Sequence, residues 1–142
     1  MNRQRGFGRK MDLKTNKTHK VYLTKEKETL LITLYAKALD SRSENSILND
    51  KAANNLVNTI DYDFDKLKNP ANGNVIVVRA KQFDEWLKEF LKENSVAVVL
   101  NLGCGLDTRV NRINPSPKIS WFDVDYPEVI KLRENFCNYS AY

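Results

Sequence analysis

The sequence predicts an α/β fold, with N-terminal helices followed by the first β-α-β portion of a parallel sheet. Three observations predict it. Residues 75–94 place large apolar side chains at helical spacing. Val96–Leu102 is an apolar, β-branched run of the kind found in a strand buried on both faces. That run ends in "NLGCGLDTR", where Gly103 and Gly105 stand one residue apart, as where a buried strand hands the chain to a ligand-binding loop.

Composition bounds the rest. The chain has 142 residues, 42% hydrophobic and 29% charged, which suits one soluble domain of ordinary size. No uncharged apolar run approaches the roughly 20 residues that span a bilayer, which weighs against a membrane. The basic start lacks the apolar segment of a secretory signal. Cys104, Cys137 and His19 offer neither a disulfide framework nor metal-ligand spacing. A reducing, cytoplasmic setting is expected. Of the charges behind the net +5, residues 1–20 hold seven basic side chains against Asp12, while the remaining 122 residues carry 16 basic and 17 acidic. The positive charge is therefore a tail and not a face. It reads as a flexible, solvated leader, which weighs against a nucleic-acid partner. The expected organisation is a leader over 1–20, a helical region over 21–94, and the start of a cofactor-binding domain over 95–142.

In chain order, Thr24 is a suitable N-cap for a first helix carrying Leu30, Leu31, Leu34, Tyr35 and Ala38, with a stop near Asp40-Ser41. A second helix is expected from about Asp50 to Ile60, with Ala53, Leu56, Val57 and Ile60 on one side. "NPANGN" at Asn69–Asn74 signals a loop. In the third helix Phe83, Trp86, Leu87, Phe90 and Leu91 form the stripe expected to be buried. Arg79, four residues before Phe83, falls on or beside that stripe. A buried arginine requires an internal carboxylate or an anionic ligand; otherwise its stem packs and its head reaches solvent. After the glycine loop come a polar segment with Arg109 and Arg112, a turn at Asn114–Pro117, and a second strand over Lys118–Asp125. Pro127 suits the first turn of a helix through Val129, Ile130 and Leu132.

A glycine turn at the carboxyl end of a parallel strand admits a ligand to the backbone. Asp125, twenty residues after Gly105, stands where an acid can accept hydrogen bonds from a ribose diol. A dinucleotide loop places a third small residue where this sequence has Thr108. The residues therefore lean from NAD toward S-adenosyl-L-methionine, which has no pyrophosphate, without deciding between them.

Four blocks in register, "ETLLITLYAKALDSR", "VIVVRAKQFDEWLKEFL", "NLGCGLDTRVNRI" and "WFDVDYPEVIKLR", resemble the leucine carboxyl methyltransferase family, closest to its bacterial polyketide-type O-methyltransferase branch. The resemblance runs from about Val21 to Asn135. It implies a Rossmann-like, S-adenosylmethionine-dependent fold and methyl transfer to a carboxylate or hydroxyl oxygen. It implies that Arg79 pairs with the methionyl carboxylate, that Gly103 meets the cofactor through its backbone beside Gly105, and that Asp125 binds the ribose hydroxyls. Asp123 is expected to face solvent, Cys104 to be a small filler and not a nucleophile, and Asp107 with Arg109 to brace the loop. No residue is assigned as catalytic.

The family also implies a chain about twice this length. The expectation is thus the N-terminal half of such an enzyme, truncated, with little activity alone. Its methyl acceptor, a small molecule or a protein carboxylate, would be chosen by residues beyond Tyr142. The other reading is a non-catalytic half-fold that pairs with a second chain through an open edge of its sheet.

Overall fold

The computed structural model describes residues 6–7, 11–13, 19–20, 25–67 and 73–139. In chain order the elements are strands β1 (Gly6–Phe7), β2 (Met11–Leu13) and β3 (His19–Lys20), helices α1 (Lys25–Arg42) and α2 (Lys51–Thr59), and strand β4 (Ile60–Asp61). A single 3-10 turn at Phe64–Leu67 follows, then α3 (Gly73–Glu93), β5 (Ala97–Leu102), α4 (Arg109–Ile113), β6 (Ile119–Val124), α5 (Pro127–Phe136) and β7 (Cys137–Tyr139). The chain divides into two units, one holding the described residues of 14–83 and the other those of 1–13 and 84–142. The boundary falls inside α3. No described helix is long and apolar enough to cross a membrane.

In the first unit α1 packs on α2. Leu31, Leu34 and Ala38 recur at helical spacing along α1 and are buried, as are Ala53, Leu56 and Val57 on α2. The loop between the helices is wound around one carboxylate. Asp40 accepts hydrogen bonds from Ser46 Oγ at 2.7 Å and from the amides of Ile47, Leu48 and Asn49 at 2.8, 2.9 and 3.2 Å. Asp50, fully buried, then caps α2 by accepting from the Ala53 amide at 2.9 Å. Helix α1 continues to Arg42, just past the expected stop, because Asp40 organises the following loop instead of ending the helix. Strand β3 pairs in parallel with β4. Thr24 and most of the Asn69–Asn74 loop lie outside the described residues.

Helix α3 forms where its periodicity predicts, but with a different face inward. Phe83, Trp86 and Phe90 are between 46% and 56% exposed, and Leu87 and Leu91 are half-buried. The buried row is Val77, Ala80 and Asp84, with Val77 and Ala80 packing on Leu48. Asp84 is the reason: its carboxylate is committed to two arginines, and turning the aromatic row inward would carry it away from them. Arg79 is consequently exposed, not set on a buried stripe.

In the second unit the sheet has the order β1-β6-β5. β5 and β6 run parallel and in phase, from Ala97 opposite Ile119 to Leu102 opposite Val124. The intervening segment is long enough for the crossover that parallel pairing demands. Val96–Leu102 was expected to be central and buried on both faces. β5 lies at the sheet edge, in keeping with the open apolar edge expected of a half-fold, but it is not covered on both faces: Val98, Leu100 and Leu102 are between 58% and 70% exposed, alternating with half-buried Ala97, Val99 and Asn101. Among the described residues β6 is its one strand neighbour. On α5 the row Val129, Arg133 and Phe136 is buried. Within residues 1–20, the expected leader, the described residues are those of β1, β2 and β3. β1 pairs antiparallel with β6, Gly6 opposite Trp121, and β2 pairs with β7. β6 has backbone groups to satisfy on the side away from β5, and β1 pairs with it there at Ser120 and Trp121.

Candidate functional site

Because β5 and β6 end in register, the segments after Leu102 and Val124 leave the sheet side by side. That is how residues twenty apart in sequence come together. The first turn is tied to the sheet by the Val124 carbonyl, which accepts from the amides of Gly103 at 2.8 Å and Cys104 at 3.2 Å. The Asp107 amide returns to the Cys104 carbonyl at 2.8 Å. Gly103 and Gly105 have φ of +62° and +48°, the left-handed region that disfavours a side chain. A Cβ at Gly103 would meet nothing within 4 Å. The conformation, not crowding, therefore calls for glycine there, and the space beside its backbone is open.

Asp125 closes the other side of this turn. Its carboxylate accepts from the Gly105 amide at 2.8 Å through Oδ2 and from the Tyr126 amide at 2.7 Å through Oδ1. Gly103, Gly105 and Asp125 thus meet at the carboxyl ends of two parallel strands, where open α/β sheets hold ligands. Arg79, the fourth residue of the expected site, lies exposed in the other unit.

Two buried ion-pair networks support the loop, and neither was anticipated in full. Asp123, expected to face solvent, has a side chain only 10% exposed and paired with Arg133, itself 1% exposed. Its Oδ1 accepts from Asn101 Nδ2 at 2.8 Å and Trp121 Nε1 at 3.2 Å; its Oδ2 accepts from Arg133 Nε and Nη2 at 3.1 and 2.9 Å. Arg133 Nη1 also donates to the Gly105 carbonyl at 3.2 Å. A strand-end acid looks solvated in sequence, but a buried arginine four residues after buried Val129 requires an anion, and Asp123 is that anion. An arginine on the inner row of α5 was the available signal.

At the far end of the loop, Asp84 accepts from Arg109 Nε at 2.9 Å and from Arg112 Nε and Nη2 at 2.6 and 3.1 Å. Arg112 Nη1 donates to the buried Thr108 hydroxyl at 3.1 Å. Asp107 lies 3.6 Å from Arg109, the brace expected between them, and 3.8 Å from Arg112. Sequence reasoning gave Asp84 no role; its place at i+4 from Ala80 was the clue. Cys104 is buried, and burial pushes its thiol up to about 12, the nearby carboxylates adding to the effect and Arg133 opposing it. A thiol so held has almost no thiolate near neutral pH. Among the described residues no cluster of His, Cys, Asp and Glu could hold a metal ion.

The arrangement can bind a ligand with hydroxyl donors at Asp125 and a group that approaches the backbone at Gly103. The chain is similar to known proteins. The Leucine carboxyl methyltransferase family profile matches residues 30–138. The tetracenomycin polyketide synthesis O-methyltransferase TcmP of Streptomyces glaucescens is 43% identical over 114 residues, covering 80% of this chain and 42% of that protein. The S-adenosyl-L-methionine-dependent methyltransferase dpfgK of Gibberella zeae is 35% identical over 132 residues, covering 86% of this chain and 44% of that protein. The chain therefore spans less than half the length of these relatives. No solved structure matches it. The matched residues include the glycine loop, Asp125 and both ion-pair networks, and the chain belongs to the leucine carboxyl methyltransferase family.

Proposed function

We propose that this chain carries the cofactor-binding portion of an S-adenosyl-L-methionine-dependent O-methyltransferase with a Rossmann-like fold. The observation that carries the reading is Asp125, held against the Gly105 amide beside an open Gly103 backbone at the ends of two parallel strands. The donor set suits this cofactor. Each Asp125 oxygen accepts one amide, which leaves acceptor capacity on both for the two ribose hydroxyls. Thr108, at the position of a third dinucleotide glycine, is buried and bonded to Arg112, which supports the methyltransferase cofactor over NAD. Arg79 is exposed, and its pairing with the methionyl carboxylate is proposed from the family resemblance alone.

When bound, the cofactor supplies an electrophilic methyl group on a sulfonium. The residues of this chain orient it: Gly103 and Gly105 by close backbone approach, Asp125 by holding the ribose. A carboxylate acceptor needs no general base, so none is assigned here. The acceptor, a small molecule or a protein carboxylate, is assigned to sequence corresponding to the remaining length of the relatives, and methyl transfer by these residues alone is expected to be weak. A second reading, a non-catalytic half-fold that pairs with another chain, is favoured by the apolar edge strand β5.

Calorimetric titration with S-adenosylhomocysteine tests the first reading. Weak, saturable binding by this chain is expected, lost on Asp125→Ala. Absence of heat in both proteins, or a preference for NAD, would overturn it.

A further inference from the structure

We propose that Arg133 is a positioning residue for the glycine loop, fixing the Gly105 peptide and through it the alignment of Asp125. The proposal rests on the reading of that loop as the cofactor site. Arg133 lies on the buried row of α5 and is 1% exposed. Its guanidinium faces two directions at once. Nε and Nη2 meet Asp123 Oδ2, while Nη1 meets the Gly105 carbonyl at 3.2 Å.

The Asp123 end of this fork is anchored to the sheet. Its second oxygen is held by Asn101 on β5 and Trp121 on β6, so the arginine is referenced to two rigid strands. The Gly105 end transmits that reference. Gly105 presents its carbonyl to Arg133 and its amide to Asp125, and its φ of +48° gives it no intrinsic preference to stay there. An ion pair that only joined α5 to the sheet would need no bond to the loop backbone. A planar fork serves both partners, and a lysine ammonium, a single point of charge, does not.

The test is Arg133→Lys, read two ways in the 142-residue chain. Amide hydrogen exchange is followed by NMR at Gly105 and along Ala97–Leu102, and S-adenosylhomocysteine affinity is measured by calorimetry. The expected result is about tenfold faster exchange at Gly105 with the strand amides unchanged, and about tenfold weaker binding, as for loss of one charge-assisted hydrogen bond. Unchanged exchange at Gly105 would overturn the proposal. So would an equal rise at Gly105 and along β5, which marks a merely structural role. If Arg133→Lys fails to fold, Asn101→Ala slackens the Asp123 anchor while leaving the ion pair, and a selective rise of about threefold at Gly105 is expected; its absence would overturn the proposal too. If the unaltered chain binds no S-adenosylhomocysteine, the cofactor reading fails, while the exchange measurement still decides the role of Arg133.

Discussion

Cys104 illustrates how much one residue's surroundings settle. It stands between two glycines of left-handed backbone conformation and is buried, and that burial raises its thiol to about 12 from an ordinary 9.0. The folded state therefore keeps its proton across a range in which the unfolded chain gives it up. With the folded value raised, the contribution to stability is full below 9.0 and is lost as pH climbs toward 12. At pH 8 the native chain should leave Cys104 unmodified by iodoacetamide while the urea-unfolded chain is alkylated, as followed by mass spectrometry of the peptide containing it. Rapid native alkylation would contradict the burial. At this scale the sequence disclosed the glycine pair, the acid that meets it and the inertness of the thiol, because each follows from spacing or from a missing base. It did not disclose the roles of Asp84, Asp123 and Arg133. Charged residues are read as solvated by default, and only three-dimensional pairing changes that.

Among the elements, helix and strand positions were legible and their inward faces less so. α2 lies within a residue of its expected bounds because Asp50 supplies a cap and Ala53, Leu56 and Val57 supply one apolar side. α3 was placed correctly, but its aromatic row competes with Val77, Ala80 and Asp84 for the interior, and the electrostatic requirement of Asp84 decides. The α1–α2 connection rests on Asp40. Burial alone would raise its pKa, but hydrogen bonds from Ile47, Ser46, Leu48 and Asn49 outweigh that and hold it below the ordinary 3.8. Below 3.8 the unfolded chain binds a proton that the folded chain refuses, so this contribution is present above that value and lost as pH falls through the folded one. Urea midpoints of the chain and of Asp40→Asn should therefore differ at pH 7, with the variant less stable, and converge as pH is lowered past 3.8. A gap that stays constant with pH would show that the carboxylate's charge is not what organises the loop.

At the scale of the molecule, the sheet edge dominates. The sequence announced β5 through its apolar, β-branched run, and a strand of that composition is ordinarily covered on both faces. Here one face carries Val98, Leu100 and Leu102 in the open, and the strand has β6 as its one neighbour among the described residues. Three features thus coincide: unpaired backbone groups along one edge, a contiguous apolar stripe, and no charged side chain on β5 to oppose pairing. That combination favours association between chains. Leu100→Lys places a charge in the centre of the stripe without touching the alternate row that faces inward, so the glycine loop and its ion pairs should survive. Sedimentation velocity of the unaltered chain should give an average mass that rises with concentration, and Leu100→Lys should hold that mass near 16.4 kDa across the same range. If both proteins sediment as monomers, the exposed face is tolerated in water and the reading of β5 as a pairing edge falls. If both associate equally, the contact lies elsewhere on the molecule, and the exposed aromatic row of α3 becomes the surface to alter.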